Sequence, residues 1–310
     1  MKPKLVSVLT ENWTMTDPRD VRGIVRMAQE AEDAGFDMIM ISDHVLLGPS
    51  AGSEGRMENP RDYAMPGNQD PATEWPSSIV MLSAIAAATT RIRVGGIALI
   101  APLRHPLILA KDLATLDLLS EGRLVIQPTV SWHKDEYDAL GVPFNKRGKI
   151  LDEDLEIWRR VWAESPASFH GEFFDFTDVY VDPKPRTPKG PAMWFGGESL
   201  TDPVLSRLVQ YGSGYHPLGR PKAEDVAKLR AGLEAAGRSI DDIEMVGGTR
   251  VEFPDANSVA PLPEALEGIP AQLEMGFSTF CIKPSIFIDE RDKHAEFCRE
   301  VVRRVDELTS

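Results

Sequence analysis

The chain is poor in cysteine, in long apolar runs and in clustered basic residues. Only two of its 310 residues are cysteine, Cys281 and Cys298, which excludes a disulfide framework and a metal site built from cysteine. No window approaches the roughly eighteen uninterrupted apolar residues of a transmembrane helix. The first residues also lack the apolar segment of a signal peptide. We therefore expect a cytoplasmic protein with no membrane partner.

Acidic residues outnumber basic ones, 48 to 34, which gives a formal net charge of −14. A surface of this sign repels phosphate backbones, so nucleic acid is not an expected partner. The charge does not exclude an anionic cofactor, because a pocket needs only a few local cations and backbone N–H groups to hold one.

Short β-branched and apolar runs alternate with helical patterns along the whole chain, which predicts parallel strands joined by helical crossovers. The predicted strands are residues 4–9, 36–41, 92–97, 124–127, 192–195, 214–216, 243–246 and 277–283. Several are continuously apolar, as is typical of strands covered on both faces. Eight such units without a visible linker predict an α/β fold, a single (β/α)8 (TIM) barrel domain over residues 1–310.

Two insertions interrupt this rhythm. Residues 47–70, rich in glycine, proline, serine and asparagine, follow the second strand; loops after strands form the catalytic face of a barrel, so we interpret this segment as a lid. The alternative is a disordered surface loop. Residues 168–185 alternate in polarity and predict a hairpin before the fifth strand. Because the hairpin follows a helix, we expect it to be a surface addition or a contact between subunits, and not part of the catalytic site.

The second strand ends in Ser42-Asp43-His44. This places an acid and an imidazole where a barrel presents reactive groups, and histidine can exchange a proton near neutral pH. We predict Asp43 and His44 as catalytic residues. The alternative is structural, with Asp43 capping the following turn and His44 hydrogen-bonded to backbone.

Three further residues are predicted to line a substrate pocket. Trp132 and His133 follow the fourth strand, where an indole stacks readily on a flat ring. His216 follows the sixth strand. Trp132 is expected to be a pocket wall rather than a catalyst.

Glycine pairs end two strands and predict an anion site. Gly196-Gly197-Glu198-Ser199 precedes a predicted helix; glycine permits close backbone approach, and N–H groups at a helix start bind phosphate. The alternative is a tight turn without a ligand. Gly247-Gly248 is followed by Arg250, and Lys283 ends the last strand. We expect Arg250 and Lys283 to add positive charge to one rim.

Several common catalytic signatures are absent from the sequence. It has no Walker phosphate loop, no dinucleotide-binding G-x-G-x-x-G after the first strand, no H-E-x-x-H and no G-x-S-x-G. Its six histidines lack metal-ligand spacing. We therefore expect no metal.

An ordered series of short motifs resembles the luciferase-like monooxygenase superfamily. The series begins with residues 31–37 leading to Ser42-Asp43-His44, and continues through residues 90–95, 121–124, Trp132, Glu136-Tyr137, 141–144, Arg147-Gly148, 151–153, 169–171, 183–185 and 194–197. It spans nearly the whole chain, and the order of the motifs makes the resemblance specific.

The resemblance implies a TIM barrel, commonly a homodimer, that binds FMN or coenzyme F420 at the carboxyl ends of its strands. The Ser42-Asp43-His44 ending is similar to the F420-dependent branch, in which the matching histidine lies beside the deazaflavin ring. Ile97-Ala98-Leu99 matches a non-prolyl cis bulge that supports the ring, so Ala98 and Leu99 are expected to contact the cofactor. Residues 196–199 match the family's phosphate contact.

One segment departs from the family pattern. Gln127-Pro128-Thr129 stands where the family usually has a Gly-x-Gly run. It adds bulk and a fixed φ angle beside the expected position of the ring, where Thr129 is expected to contact the cofactor.

The expected function is hydride transfer between coenzyme F420 and a small organic substrate. The alternatives are an FMN-dependent monooxygenase, which uses oxygen and a flavin reductase partner, and a noncatalytic cofactor-binding barrel.

Overall fold

The computed structural model describes residues 2–218, 221–249 and 251–310. Its strands are β1 Lys4–Val8, β2 Met38–Ile41, β3 Arg93–Ile100, β4 Leu124–Thr129, β5 Ala167–His170, β6 Asp175–Val179, β7 Ala192–Phe195, β8 Gly214–Tyr215, β9 Glu244–Gly248 and β10 Thr279–Ile282. Its α-helices are α1 Val21–Ala34, α2 Ser78–Ala88, α3 Pro106–Leu119, α4 Lys134–Leu140, α5 Arg147–Ala163, α6 Asp202–Tyr211, α7 Ala223–Ala235, α8 Leu262–Leu266, α9 Ile269–Glu274 and α10 His294–Thr309.

Eight strands close into one parallel barrel in the order β1-β10-β9-β8-β7-β4-β3-β2. The predicted (β/α)8 barrel is confirmed. The remaining strands, β5 and β6, pair antiparallel outside it. They form the hairpin predicted within residues 168–185, and the carboxylate of Glu153 in α5 accepts the backbone N–H groups of residues 172–174 at its turn.

The apolar core has two parts. The larger lies between the barrel and the surrounding helices. The smaller fills the barrel interior with Val6, Val8, Met38, Met40, Ile97, Val125, Trp194, Val246 and Cys281. Side chains therefore pack the barrel interior as a core, and the space for a ligand lies at the carboxyl ends of the strands.

The third and fourth strands run further than predicted. Their register shifts between Ile97 and Leu99, and the Ile97–Ala98 peptide is cis, in agreement with the bulge that the family resemblance implied. Pro128 pairs with Leu99 immediately after the shift. A proline is tolerated within a strand at a bulge, because the ladder there does not require its missing N–H. Thr129 therefore continues the strand.

A charged cluster closes the barrel at the amino ends of its strands. Arg93 donates to both carboxylate oxygens of Glu244 at 2.8 and 2.7 Å, and Thr279 and Lys4 also donate to Glu244. All four are the first residues of their strands. Burial alone would raise the pKa of Glu244, but the hydrogen bonds and charge of Arg93, with smaller contributions from Thr279 and Lys4, lower it to about 2.

The lid segment (residues 47–70) and the residues just before it are held by side chains at the start of α4. Glu136 accepts the N–H groups of Val45 and Leu46, at 2.8 and 3.3 Å. His133 Nε2 accepts from Gly48 N at 2.7 Å, and Asp135 accepts from Ser50 N at 3.0 Å. These bonds satisfy backbone groups that no regular secondary structure pairs.

The later part of the lid segment is anchored to the opposite rim. Arg61 forms a bidentate ion pair with Asp289, with both distances 2.8 Å. Asn59 donates to the carbonyls of Asp255 and Ser258. The lid segment therefore crosses the carboxyl ends of the barrel strands, where the sequence predicted it.

We expect Glu244→Gln to destabilise the fold by about 3 kcal/mol at pH 7, because the substitution leaves the Arg93 guanidinium without its charge partner. A carboxyl whose pKa is lowered on folding stabilises the native state above its unfolded pKa. This contribution should fall away in the parent protein as the pH drops from about 4.5 to about 2. Urea unfolding at pH 7 and pH 3 measures both effects. Equal stability of parent and variant at pH 7 would contradict the assignment, and Glu307→Gln on α10 is the surface control.

We expect Gly48→Ala to loosen the start of the lid segment, because an added Cβ would lie 2.4 Å from the Cβ of Asp135 and 2.3 Å from its Oδ2. Overpacking of this kind costs about 1–3 kcal/mol. Amide hydrogen exchange at residues 45–50 should accelerate about tenfold or more. Ser53→Ala, at an exposed position in the same segment, serves as the control, and unchanged protection in Gly48→Ala would show that this contact does not hold the lid.

Candidate functional site

A cavity of about 820 Å³ opens at the carboxyl ends of the barrel strands. Its volume falls within the range of roughly 300–1,000 Å³ that small-molecule and cofactor sites occupy. The predicted site residues that line it are Asp43, His44, Ala98, Thr129, Trp132, Glu198 and His216. The barrel therefore brings together groups that lie far apart in the sequence.

His44 lies in the cavity wall with a buried carboxylate behind it. Its Nδ1 is 3.3 Å from Oε1 of Glu136, although the two groups are not aligned for a full hydrogen bond. Glu136 has no exposed side-chain surface and also accepts from Val45 N, Leu46 N and the Ser131 hydroxyl. Because Nδ1 faces Glu136, Nε2 is the ring nitrogen left to face the cavity. The arrangement suits an imidazole that exchanges a proton with a bound molecule.

Two indoles flank this imidazole. Trp75 packs edge-on against His44 with ring centroids 4.9 Å apart, and Trp132 lies at 6.1 Å. Both indoles line the cavity, so the prediction that Trp132 is a pocket wall agrees with its position. Trp75 was not predicted, because it lies in an irregular segment after the lid and carries no motif.

Asp43 is a structural partner and not a free acid. Arg104 donates to both of its oxygens, at 2.7 and 3.0 Å, and Ser78 and the Ile100 N–H donate to it as well. These four bonds occupy the carboxylate. The prediction that Asp43 is catalytic is therefore corrected: this carboxylate ties β2 to α2 and to the end of β3, which fixes the backbone that carries His44.

His133 is also reassigned. It is fully buried and does not line the cavity, and its Nε2 accepts the hydrogen bond from Gly48 N described above. Burial lowers the pKa of His133, which favours the neutral ring that this acceptor role requires. His133 anchors the lid rather than contacting substrate.

The Gly196-Gly197-Glu198-Ser199 turn has two roles. A Cβ on Gly196 would lie 1.8 Å from the carbonyl oxygen of His216, so Gly196 is needed for the close approach of two strand ends. Within the described residues, no hydrogen bond engages the N–H groups of residues 197–199, and Glu198 lines the cavity. Gly196, Gly197 and Ser199 do not line the cavity, and Gly196 is explained by packing.

Lys283 does not supply a free cation to the rim. Its ammonium is fully buried, donates to the carbonyl of Asp62 at 2.6 Å and lies 3.4 Å from a carboxylate oxygen of Glu11. Lys283 is therefore a further anchor of the lid segment, which corrects its predicted role. Arg250 lies outside the described residues. The cation of the described chain that lines the cavity is Arg147.

Of the two residues of the β3 bulge that were predicted to contact the cofactor, one lies at the cavity. Ala98 lines the cavity, whereas Leu99 is fully buried in the outer core and lies off the cavity wall. Adjacent strand residues point to opposite faces, and the shift after Ile97 decides which one faces inward. The prediction for Leu99 is therefore wrong.

Glu136 and Arg147 were quoted as parts of the family motifs, and neither was predicted to belong to the site; the carboxylate of Glu136 was expected to cap a helix. The sequence did carry a signal for both residues, since both occur in the ordered series of motifs.

Within the described part of the chain, no group of three or more His, Cys, Asp or Glu side chains is arranged to hold a metal. None of the helices in the described ranges combines the length and apolar character needed to cross a bilayer.

Comparisons with solved structures identify the same fold. A monooxygenase from Streptomyces bottropensis superposes with a TM-score of 0.74 and 20% identity, covering 99% of this chain and 100% of the other. The coenzyme F420-dependent tetrahydromethanopterin reductase of Methanopyrus kandleri gives 0.70 and 18%, with 97% and 98% coverage.

Sequence relatives extend the comparison. An uncharacterized protein of Mycobacterium tuberculosis is 30% identical over 219 residues, 69% of this chain and 73% of the relative. The FMNH(2)-dependent dimethylsulfone monooxygenase of Pseudomonas putida is 32% identical over 168 residues, 53% of this chain and 46% of that enzyme. Residues 4–260 match the family described as luciferase-like monooxygenase. The chain belongs to the luciferase-like monooxygenase family.

Proposed function

We propose that the protein is an oxidoreductase that transfers a hydride between coenzyme F420 and a small organic substrate bound at the mouth of the barrel. The observation that carries the proposal is the position of His44, which lies in the cavity wall between two indoles with Glu136 behind it. Hydride transfer to or from an oxygen-bearing carbon needs a matching proton acceptor or donor, and imidazole is suited to this near neutral pH.

The residues of the cavity fit a flavin-type cofactor. Val8, Met40, Ile97 and Ile100 provide an apolar surface for a flat ring, and Ala98 lies among them. The unengaged N–H groups of residues 197–199 and Nη2 of Arg147 would provide donors for a phosphate, while Nε and Nη1 of Arg147 donate to the carbonyls of Ser131 and Phe144. When bound, the cofactor would supply the carbon that gives or accepts the hydride.

His44 would exchange the proton that accompanies the hydride, through the nitrogen that faces the cavity. Glu136 would hold the imidazole in one orientation, since its carboxylate lies beside Nδ1. Trp75, Trp132 and the lid segment would exclude water from the reacting atoms.

A second candidate is an FMN-dependent monooxygenase that uses reduced flavin and oxygen and needs a flavin reductase partner. It is favoured by the identity of 32% to the FMNH(2)-dependent enzyme of Pseudomonas putida, which extends over about half of this chain. A noncatalytic barrel has less support, because the unusual segment that suggested it leaves the cavity open: Gln127 and Pro128 do not line the cavity, and only Thr129 of this segment does.

A titration with both cofactors tests the proposal. We expect quenching of F420 fluorescence with micromolar affinity and binding of FMN at least tenfold weaker. Tighter binding of FMN, with oxygen consumption once a flavin reductase is supplied, would favour the second candidate. Binding of neither cofactor would overturn both.

We expect His44→Ala to reduce kcat for the reaction with F420 about a hundredfold or more while changing the cofactor Kd less than threefold, because general acid–base catalysis contributes on this scale. Glu136→Gln should reduce kcat about tenfold. Since Glu136 acts through His44, adding Glu136→Gln to His44→Ala should have no further effect on kcat. Additive losses in the double variant would assign Glu136 a structural role alone, and unchanged kcat in His44→Ala would remove His44 from the mechanism.

A further inference from the structure

Three polar side chains cross the barrel interior beneath the cavity. Gln127 belongs to β4, His216 directly follows β8 and Cys281 belongs to β10, and these are alternate strands of the closed sheet. Alternate strands of such barrels contribute side chains to one layer. Here the layer is polar, although most of the residues that fill the barrel beneath it are apolar.

His216 is the centre of this layer. Its Nδ1 lies 2.9 Å from Oε1 of Gln127, and its Nε2 lies 3.8 Å from Sγ of Cys281. His216 and Cys281 line the cavity, whereas Gln127 lies behind them and is 2% exposed. Gln127 therefore acts on His216 and not on a ligand.

The hydrogen bond to Gln127 selects one tautomer of His216. With the amide oxygen of Gln127 directed at the ring, Nδ1 carries the proton and Nε2 is the unprotonated acceptor, because an amide oxygen only accepts. Burial lowers the pKa of His216 to about 4, so the ring is neutral at physiological pH. The thiol of Cys281 is a weak donor, which leaves Nε2 poorly satisfied until a stronger donor arrives.

The backbone of His216 is also fixed. Its N–H donates to the Phe195 carbonyl at 3.0 Å, and its own carbonyl lies against Gly196, where no side chain would fit. The imidazole therefore extends into the barrel from a rigid position. β8 lies opposite β2 in the closed order, so His216 faces the cavity from the side opposite His44.

We propose that Gln127 holds His216 as a neutral hydrogen-bond acceptor on the cavity floor, which recognises an N–H or O–H donor of an uncharged group. Two sources carry this chemistry: the lactam N–H of a flavin-type ring and the hydroxyl of an alcohol substrate. The assignment of the ligand rests on the proposed function, but the tautomer of His216 does not.

Long-range ¹H–¹⁵N correlation spectra of the histidine rings, recorded on the ligand-free protein, test the first step. We expect His216 in the Nδ1–H form in the parent protein and a mixture of tautomers in Gln127→Met. An Nε2–H form in the parent would overturn the proposal. Because this measurement needs no cofactor, it remains decisive even if neither F420 nor FMN binds.

The same spectra then identify the donor. A shift of the His216 Nε2 resonance on adding F420 or FMN assigns the donor to the ring, whereas a shift that requires added 2-propanol assigns it to the substrate hydroxyl. No shift with any of the three would overturn the recognition role.

Affinity provides an independent measurement. If the ring is the donor, His216→Phe should weaken cofactor binding about tenfold, and His216→Gln, which keeps an acceptor oxygen, should recover part of the loss. If the substrate is the donor, the cofactor Kd should stay constant while KM for the alcohol rises about tenfold in His216→Phe. His170→Phe on the exposed hairpin is the matched control. Unchanged Kd and KM in a folded His216→Phe protein would overturn the proposal.

Discussion

The candidate site depends on the buried carboxylate of Glu136. A charge removed from water must be compensated by donors, and Glu136 finds these in Val45 N, Leu46 N and the Ser131 hydroxyl. These donors come from the segment after β2 and the turn after β4, so one side chain joins two rims of the barrel. His44 lies within 3.3 Å of the same carboxylate. The requirement to satisfy Glu136 therefore fixes the start of the lid segment, and the same carboxylate forms the wall behind the imidazole.

Other charged groups near the cavity are also engaged in holding its walls. Arg104 neutralises Asp43, and Lys283 is directed to Asp62 and Glu11. Both cations hold the walls of the site and are not available to a ligand. An anionic cofactor in this acidic protein would depend on the remaining donor of Arg147, whose Nε and Nη1 donate to the carbonyls of Ser131 and Phe144, and on the backbone N–H groups of residues 197–199. Backbone donors suit this task because they are rigid and carry no compensating charge.

The cavity presents two different imidazoles from opposite sides of the barrel. His44 stands beside a buried carboxylate, whereas His216 is held between an amide and a thiol within the barrel interior. The same side chain can thus exchange protons in one environment and accept a hydrogen bond in the other. The difference arises from burial and from the partner on the far ring nitrogen, and not from the residue type.

The sequence by itself determined the order of strands and helices, the closed barrel and the end at which polar residues gather, because periodicity and the direction of parallel strands are local properties. It also placed His44, Trp132 and His216 at the mouth. Only the tertiary structure decided what each side chain does there. The sequence predicted free reactive groups at Lys283, His133 and Asp43. Each of these side chains instead contacts a partner more than 50 residues away. Leu99 and Ala98 differ by one position, and the bulge decided which of them faces the cavity. Hydrogen-bond partners and burial are properties of the packed chain, and residue spacing does not encode them.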